Sequence, residues 1–157
     1  MGAAEALPKL REGMEEAADN IATAAQLAAS LEACSYPKPG NVHRMRDFRD
    51  TRLEHFIAGG IAIGPYARRA AVAGMEASLG LRRYGEVGLG KLIREGVANV
   101  RLWHRGGNTS LGVATLLIPL AAAFGECYAS EGAFREGGVI EGFRRIAEAS
   151  TPEDAAN

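Results

Sequence analysis

Nothing in this 157-residue chain alternates apolar and polar residues with period two over a strand's length. Apolar residues recur instead at three- and four-residue steps, the spacing that puts them on one side of an α-helix. That regularity restricts the chain to an all-α fold, several mostly antiparallel helices around one buried helix. Over residues 8–34, Leu10, Met14, Ala17, Ile21, Ala24, Ala28 and Leu31 form such a stripe, and Pro8 suits a first-turn position. Phe56, Ile57, Ile61 and Ile63 mark a second helix. Pro65 kinks or restarts it, because its ring excludes the amide hydrogen bond. The pattern resumes over 66–79, with Arg68 and Arg69 on a polar face. A glycine-punctuated connector follows over 80–90. Leu89, Ile93, Val97, Val100 and Trp103 then line a helix that ends at Arg105-Gly106-Gly107. Residues 113–124 are apolar nearly all round, which predicts a buried helix. It is too short for a membrane span, and Thr115 and Pro119 interrupt it. Ile140, Phe143 and Ala147 predict a short helix near the end.

Two stretches break the helical pattern. The first, 36–55, holds Pro37, Pro39, Gly40 and Asn41 within a few residues, so 37–42 cannot be helix interior. Behind them come His43, Arg44, Arg46, Asp47, Arg49, Asp50, Arg52, Glu54 and His55. A connector between helices needs only a few residues, and a longer charged loop is more often a site than a spacer. The plain alternative is a solvated loop whose charges pair weakly among themselves. Thr51-Arg52-Leu53-Glu54 also has the form of a capping box, which gives Glu54 a structural role instead of a ligand role. The second stretch is Gly106-Gly107-Asn108-Thr109-Ser110-Leu111-Gly112, where Asn108 or Thr109 can cap the apolar helix. A glycine-rich turn feeding a helix N-terminus is an anion site, though a plain capped helix start reads the same way.

Composition excludes several classes. Eighteen basic and nineteen acidic residues give a net charge of −1, which argues against bulk nucleic-acid binding. Cys34 and Cys127 lie far apart and form no metal-binding pair. The first twenty residues hold no apolar run of a signal peptide, and no Ser or Thr completes a myristoylation signal after Gly2. A cytoplasmic protein without a membrane partner is the expectation.

The chain reads as a single helical domain over 1–157. Ser150-Thr151-Pro152-Glu153-Asp154 is a strong helix start with only three residues behind it. The expectation is therefore the N-terminal part of a longer architecture, with Leu31, Ile140 and Phe143 in an apolar patch covered in a homodimer.

The segments Tyr36-Pro37-Lys38-Pro39-Gly40-Asn41-Val42-His43-Arg44, Asp50-Thr51-Arg52-Leu53-Glu54-His55-Phe56, Gly106-Gly107-Asn108-Thr109-Ser110-Leu111-Gly112 and Ser150-Thr151-Pro152-Glu153-Asp154 carry a resemblance. In order and rough spacing they resemble the triphosphoribosyl-dephospho-CoA synthase family, in its divergent archaeal form. The resemblance implies an all-α enzyme that joins ATP to dephospho-CoA. The acceptor's 2′-hydroxyl attacks the anomeric carbon of the ATP ribose and adenine leaves, building a prosthetic group for an acyl carrier protein. These residues suit that chemistry. Polyphosphate calls for Mg²⁺ with oxygen ligands, for which Asp47, Asp50 and Glu54 are the candidates. Lys38, Arg44 and Arg46 are candidate phosphate ligands, beside the Gly40 turn and the amides of Gly107, Asn108 and Thr109. Asp50 is placed to stabilise oxocarbenium charge, and His43 or His55 is the candidate general base. Two other classes fit the same residues: a Mg²⁺-dependent helical nucleotide hydrolase, and a non-catalytic nucleotide-binding or interaction module.

Overall fold

The computed structural model describes residues 3–156. Seven α-helices follow one another: α1 Ala3–Ala33, α2 Leu53–Ala62, α3 Gly64–Ser78, α4 Leu89–Trp103, α5 Leu111–Glu131, α6 Glu136–Glu148 and α7 Pro152–Ala156. A single 3₁₀ turn, Tyr84–Glu86, precedes α4. Among the described residues there is no strand, only an isolated bridge between His43 and Arg46.

The core is built on close approach. Ala67, Ala70, Ala71, Ala73 and Gly74 of α3 lie buried against Ala121, Ala122 and Gly125 of α5. A Cβ on Gly74 would meet the Ala122 carbonyl, and one on Gly125 would meet the Ala71 carbonyl. An alanine buries little area, so such a core gains its cohesion from many short backbone contacts. Ile63, Met75, Ile118 and Ile146, all fully buried, supply the large side chains. Each contributes about 1.5–3 kcal/mol by leaving water. Pro65 restarts the helix near the first turn of α3. Arg68 pairs with Glu15 and with Asp19 at 2.6 Å on α1, and Arg69 pairs with Glu95 on α4 at 2.8 Å.

Several expectations change. α1 starts before Pro8, which therefore does not occupy the first turn. The buried face of α1 runs through Ala18, Ile21, Ala22, Ala25, Ala29 and Ala33, while Ala24, Ala28 and Leu31 are exposed. Leu10 lies outside the residues whose side chains are described. The apolar helix is longer than 113–124: it runs through Pro119 and Gly125 to Glu131 and stops at Gly132, whose φ of 69° is left-handed. At 21 residues it is long enough and apolar enough to cross a bilayer, and half of its most apolar stretch is buried among the other helices. It is not buried all round, since Leu111 and Leu116 are exposed. Leu31, Ile140 and Phe143 are exposed at 61%, 56% and 43%. α6 instead buries Val139, Gly142 and Ile146. The last turn is docked: the Asp154 carboxylate accepts the Gly90 amide at 2.9 Å and the Thr151 amide at 3.2 Å.

The capping box at Thr51 and Glu54 does not form. α2 begins at Leu53, and Asp47 Oδ1 accepts the Leu53 amide at 3.2 Å. His55 Nδ1 accepts the Arg52 amide at 3.2 Å, taking the place expected for Glu54. Thr51 is buried and turns its hydroxyl toward the second unusual stretch.

Candidate functional site

The two stretches that break the helical pattern lie far apart in sequence and meet at one end of the bundle. The Gly107 amide donates to Thr51 Oγ1 at 3.3 Å, and Thr51 Oγ1 donates to Asp50 Oδ1 at 3.1 Å. The His55 ring lies on the His104 ring with centroids 5.1 Å apart and planes 13° from parallel. Gly106 permits this approach, because a Cβ there would meet the His55 imidazole. Gly59 does the same beneath the turn, where a Cβ would meet the Ser110 hydroxyl. The turn is held from inside. The Gly106 amide donates to His104 Nδ1 at 3.1 Å, His104 Nε2 lies 3.1 Å from Thr109 Oγ1, and Thr109 Oγ1 lies 3.1 Å from Ser110 Oγ. The N-cap position of α5 is Ser110 and neither Asn108 nor Thr109, although Asn108 Oδ1 accepts the Leu111 amide at 3.3 Å.

This turn separates two concavities. One, of about 440 Å³, is lined by Glu32, Asn41, Phe56, Asn108, Thr109, Leu111, Gly112, Val113 and Leu116. The other, of about 380 Å³, is lined by the end of α4 and by the turn from His104 to Ser110. Both volumes are in the range of small-molecule sites. Asn108 and Thr109 are common to the two.

The candidate residues divide into two groups. Asp50, His55, Gly107, Asn108 and Thr109 come together around the turn. Lys38, Gly40, His43, Arg44 and Arg46 lie in the earlier part of the same loop and line neither concavity. Lys38 Nζ lies 2.8 Å from Glu32 Oε1 and 5.6 Å from the Phe56 ring centroid, and its side chain is only 11% exposed. Arg44 Nε donates to the Cys34 carbonyl at 3.1 Å. The His43 and Arg46 backbones bond reciprocally, and His43 packs edge-on against Tyr36. Gly40 takes a φ of 78°, the left-handed turn conformation open to glycine. Glu54 lies exposed in the first turn of α2. Among the described residues no three carboxylate, histidine or cysteine side chains gather to hold a metal ion.

The histidines share one constraint. His43 Nδ1 accepts the Met45 amide at 3.2 Å, just as the Nδ1 atoms of His55 and His104 accept backbone amides. A neutral imidazole that accepts at Nδ1 carries its proton on Nε2. Each of the three therefore presents a donor at its other nitrogen. Burial, and secondarily the neighbouring His55, hold the His104 pKa below the ordinary histidine value, which keeps it neutral. Sequence reasoning missed His104, Thr51, Asn41, Glu32 and Phe56. Only the position of His104 directly before the glycine pair could have drawn notice.

No curated protein and no solved structure matches the chain. The model of one family, described as ATP:dephospho-CoA triphosphoribosyl transferase, matches residues 18–157. That span includes every segment of the meeting point just described, and the chain belongs to the ATP:dephospho-CoA triphosphoribosyl transferase family.

Proposed function

We propose that this chain transfers the triphosphoribosyl group of ATP to the 2′-hydroxyl of dephospho-CoA, at the turn between the two concavities. The observation that carries the reading is the convergence of the charged loop and the Gly-Asn-Thr turn through Thr51, Gly107, His55 and His104. Two nucleotide-sized substrates need two binding places with one shared wall, and Asn108 and Thr109 form that wall.

The 2′-oxygen of the acceptor forms a bond to the anomeric carbon of ATP. The bond from that carbon to the adenine nitrogen breaks, and adenine takes the electron pair. The hydroxyl proton passes to a base, and a proton is returned to adenine. With Nδ1 occupied, His55 is a donor and not the base. The base is then a carboxylate. Asp50 has one oxygen engaged by Thr51 and no partner on the other among the described residues, and it also opposes the positive charge that develops on the ribose. His55 Nε2–H donates to the departing base or to a phosphate oxygen. Mg²⁺ binds with one or two carboxylates plus substrate phosphates instead of a full protein cage, which suits residues that form no three-ligand cluster. Asp47 and Glu54, flanking the start of α2, would hold it, and it would neutralise charge on the triphosphate.

Incubation of the protein with ATP, Mg²⁺ and dephospho-CoA should release adenine in step with a triphosphorylated acceptor, resolved by chromatography and mass spectrometry. Asp50→Asn should lower turnover by roughly 10²–10⁴ with little change in KM for ATP, the range for loss of a proton-transferring group. Release of inorganic phosphate or pyrophosphate without adenine would sink the transfer reading in favour of hydrolysis.

A further inference from the structure

Polyphosphate needs cations that are free to bind it and that line a concavity, and no cation of the charged loop meets both conditions. Lys38 is committed to Glu32, and Arg44 to the Cys34 carbonyl. Arg46, Arg49 and Arg52 line neither concavity beside the Gly-Asn-Thr turn. Two arginines do: Arg101, in the last turn of α4, and Arg105, just past its end, both line the concavity of about 380 Å³. Both are exposed, and among the described residues neither is in an ion pair. Arg105 lies beyond the helix, and it is the extended backbone at His104 that carries it on to line the same concavity as Arg101. Gly107, Asn108 and Thr109 line the same concavity, and no hydrogen bond among the described residues engages the Asn108 or Thr109 amides.

The second concavity has a different character. Its lining includes Phe56, Leu111, Val113 and Leu116, and its one carboxylate, Glu32, is neutralised by Lys38. No arginine lines it. It suits the less charged part of a ligand.

We infer that Arg101 and Arg105 form a polyphosphate subsite, which takes the triphosphate of the donor nucleotide while the acceptor occupies the concavity lined by Phe56. This assignment rests on the transfer reading for the identity of the donor, but the subsite itself stands on the arginines and the cavity. Guanidinium groups bind phosphate oxygens bidentately, so two of them can hold a three-phosphate chain at separate points. The ribose then lies at the shared wall of Asn108 and Thr109, beside the Asp50–Thr51–Gly107 chain.

The test is calorimetric titration of the whole chain with inorganic tripolyphosphate. Arg101→Gln/Arg105→Gln is compared with Arg11→Gln/Arg94→Gln, which removes the same charge from exposed positions outside both concavities. The first pair should weaken tripolyphosphate binding at least tenfold, and the second less than threefold. ATP should displace tripolyphosphate, and dephospho-CoA should not. Equal losses in the two pairs, or no loss in the first, would overturn the subsite. Displacement by dephospho-CoA but not by ATP would overturn the assignment to the donor. The adenine-release assay separates this from the reaction itself. Arginine-dependent tripolyphosphate binding without adenine release keeps the subsite and removes the transfer reading. Adenine release with an unchanged KM for ATP in Arg101→Gln/Arg105→Gln does the reverse.

Discussion

At the scale of single residues, the histidine beside the glycine pair matters more than those the charged loop advertises. His104 lines the concavity at the end of α4 and holds Thr109 of the shared wall, and its ring is sandwiched between His55 and the turn it helps to close. Burial and His55 both disfavour its cation, so its pKa in the folded protein lies below its value in the unfolded chain. The unfolded chain therefore takes up the proton first as pH falls. Stability is fully present above about 6.5, the ordinary histidine value. It declines as pH drops from there toward the lowered folded value. Denaturant unfolding at pH 8 and at pH 5.5 should show a larger loss for the wild-type chain than for His104→Gln. Identical losses would mean that His104 does not titrate with folding. Little of this was readable in sequence. A histidine says nothing of its tautomer until the amide it accepts is known, and Lys38 and Arg44 look like free cations until Glu32 and the Cys34 carbonyl are placed beside them.

At the scale of elements, helix existence was legible because apolar spacing is a local property. Which face is buried was less so. In α1 the alanines at 17, 18, 22, 24, 25, 28, 29 and 33 are distributed around much of the helix, so periodicity fixes the helix but not its rotation. Polar residues inside the bundle were not predicted at all. Glu126 of α5 is 1% exposed; its Oε1 accepts from Arg145 Nη2 of α6 at 2.6 Å and from the Tyr84 hydroxyl at 3.0 Å. Its Oε2 has no partner among the described residues. Burial first, and then Glu126, raise the Tyr84 pKa. The pair is asymmetric, since the Arg145 side chain is 39% exposed and also reaches Glu141. Removing the carboxylate leaves an arginine that water and Glu141 can serve. Removing the arginine leaves a buried anion with one hydroxyl. Arg145→Met should therefore cost about 3–5 kcal/mol, the range for stranding a buried charge. Glu126→Gln should cost clearly less, because its amide oxygen keeps both donors. Urea melts of the two variants decide this, and a reversed order would show that Glu126 is solvated or protonated in the folded state.

At the scale of the whole molecule, the arrangement separates a stiff part from an adaptable one. Where α3 meets α5, backbones approach so closely that Gly74 and Gly125 admit no side chain. The site lies at the bundle's end, on the 34–52 loop and the 104–110 turn, where few groups are buried and backbone bonds are scattered. Such regions open locally at low free energy, while a packed core opens only with the whole fold. A ligand that bridges loop and turn should act on the first kind of opening. At a hundredfold excess over its Kd it adds about 2.7 kcal/mol to the stability of any opening that destroys the site. Hydrogen exchange with and without Mg-ATP should then show slowed amides in the 104–110 turn and around the start of α2. The α3–α5 interface should change only where exchange already requires global unfolding. The Gly107 amide is the sharpest reporter, because its bond to Thr51 joins the two stretches. Protection confined to the loop alone, with Gly107 unchanged, would mean that nucleotide binds away from the turn and that loop and turn do not form one site.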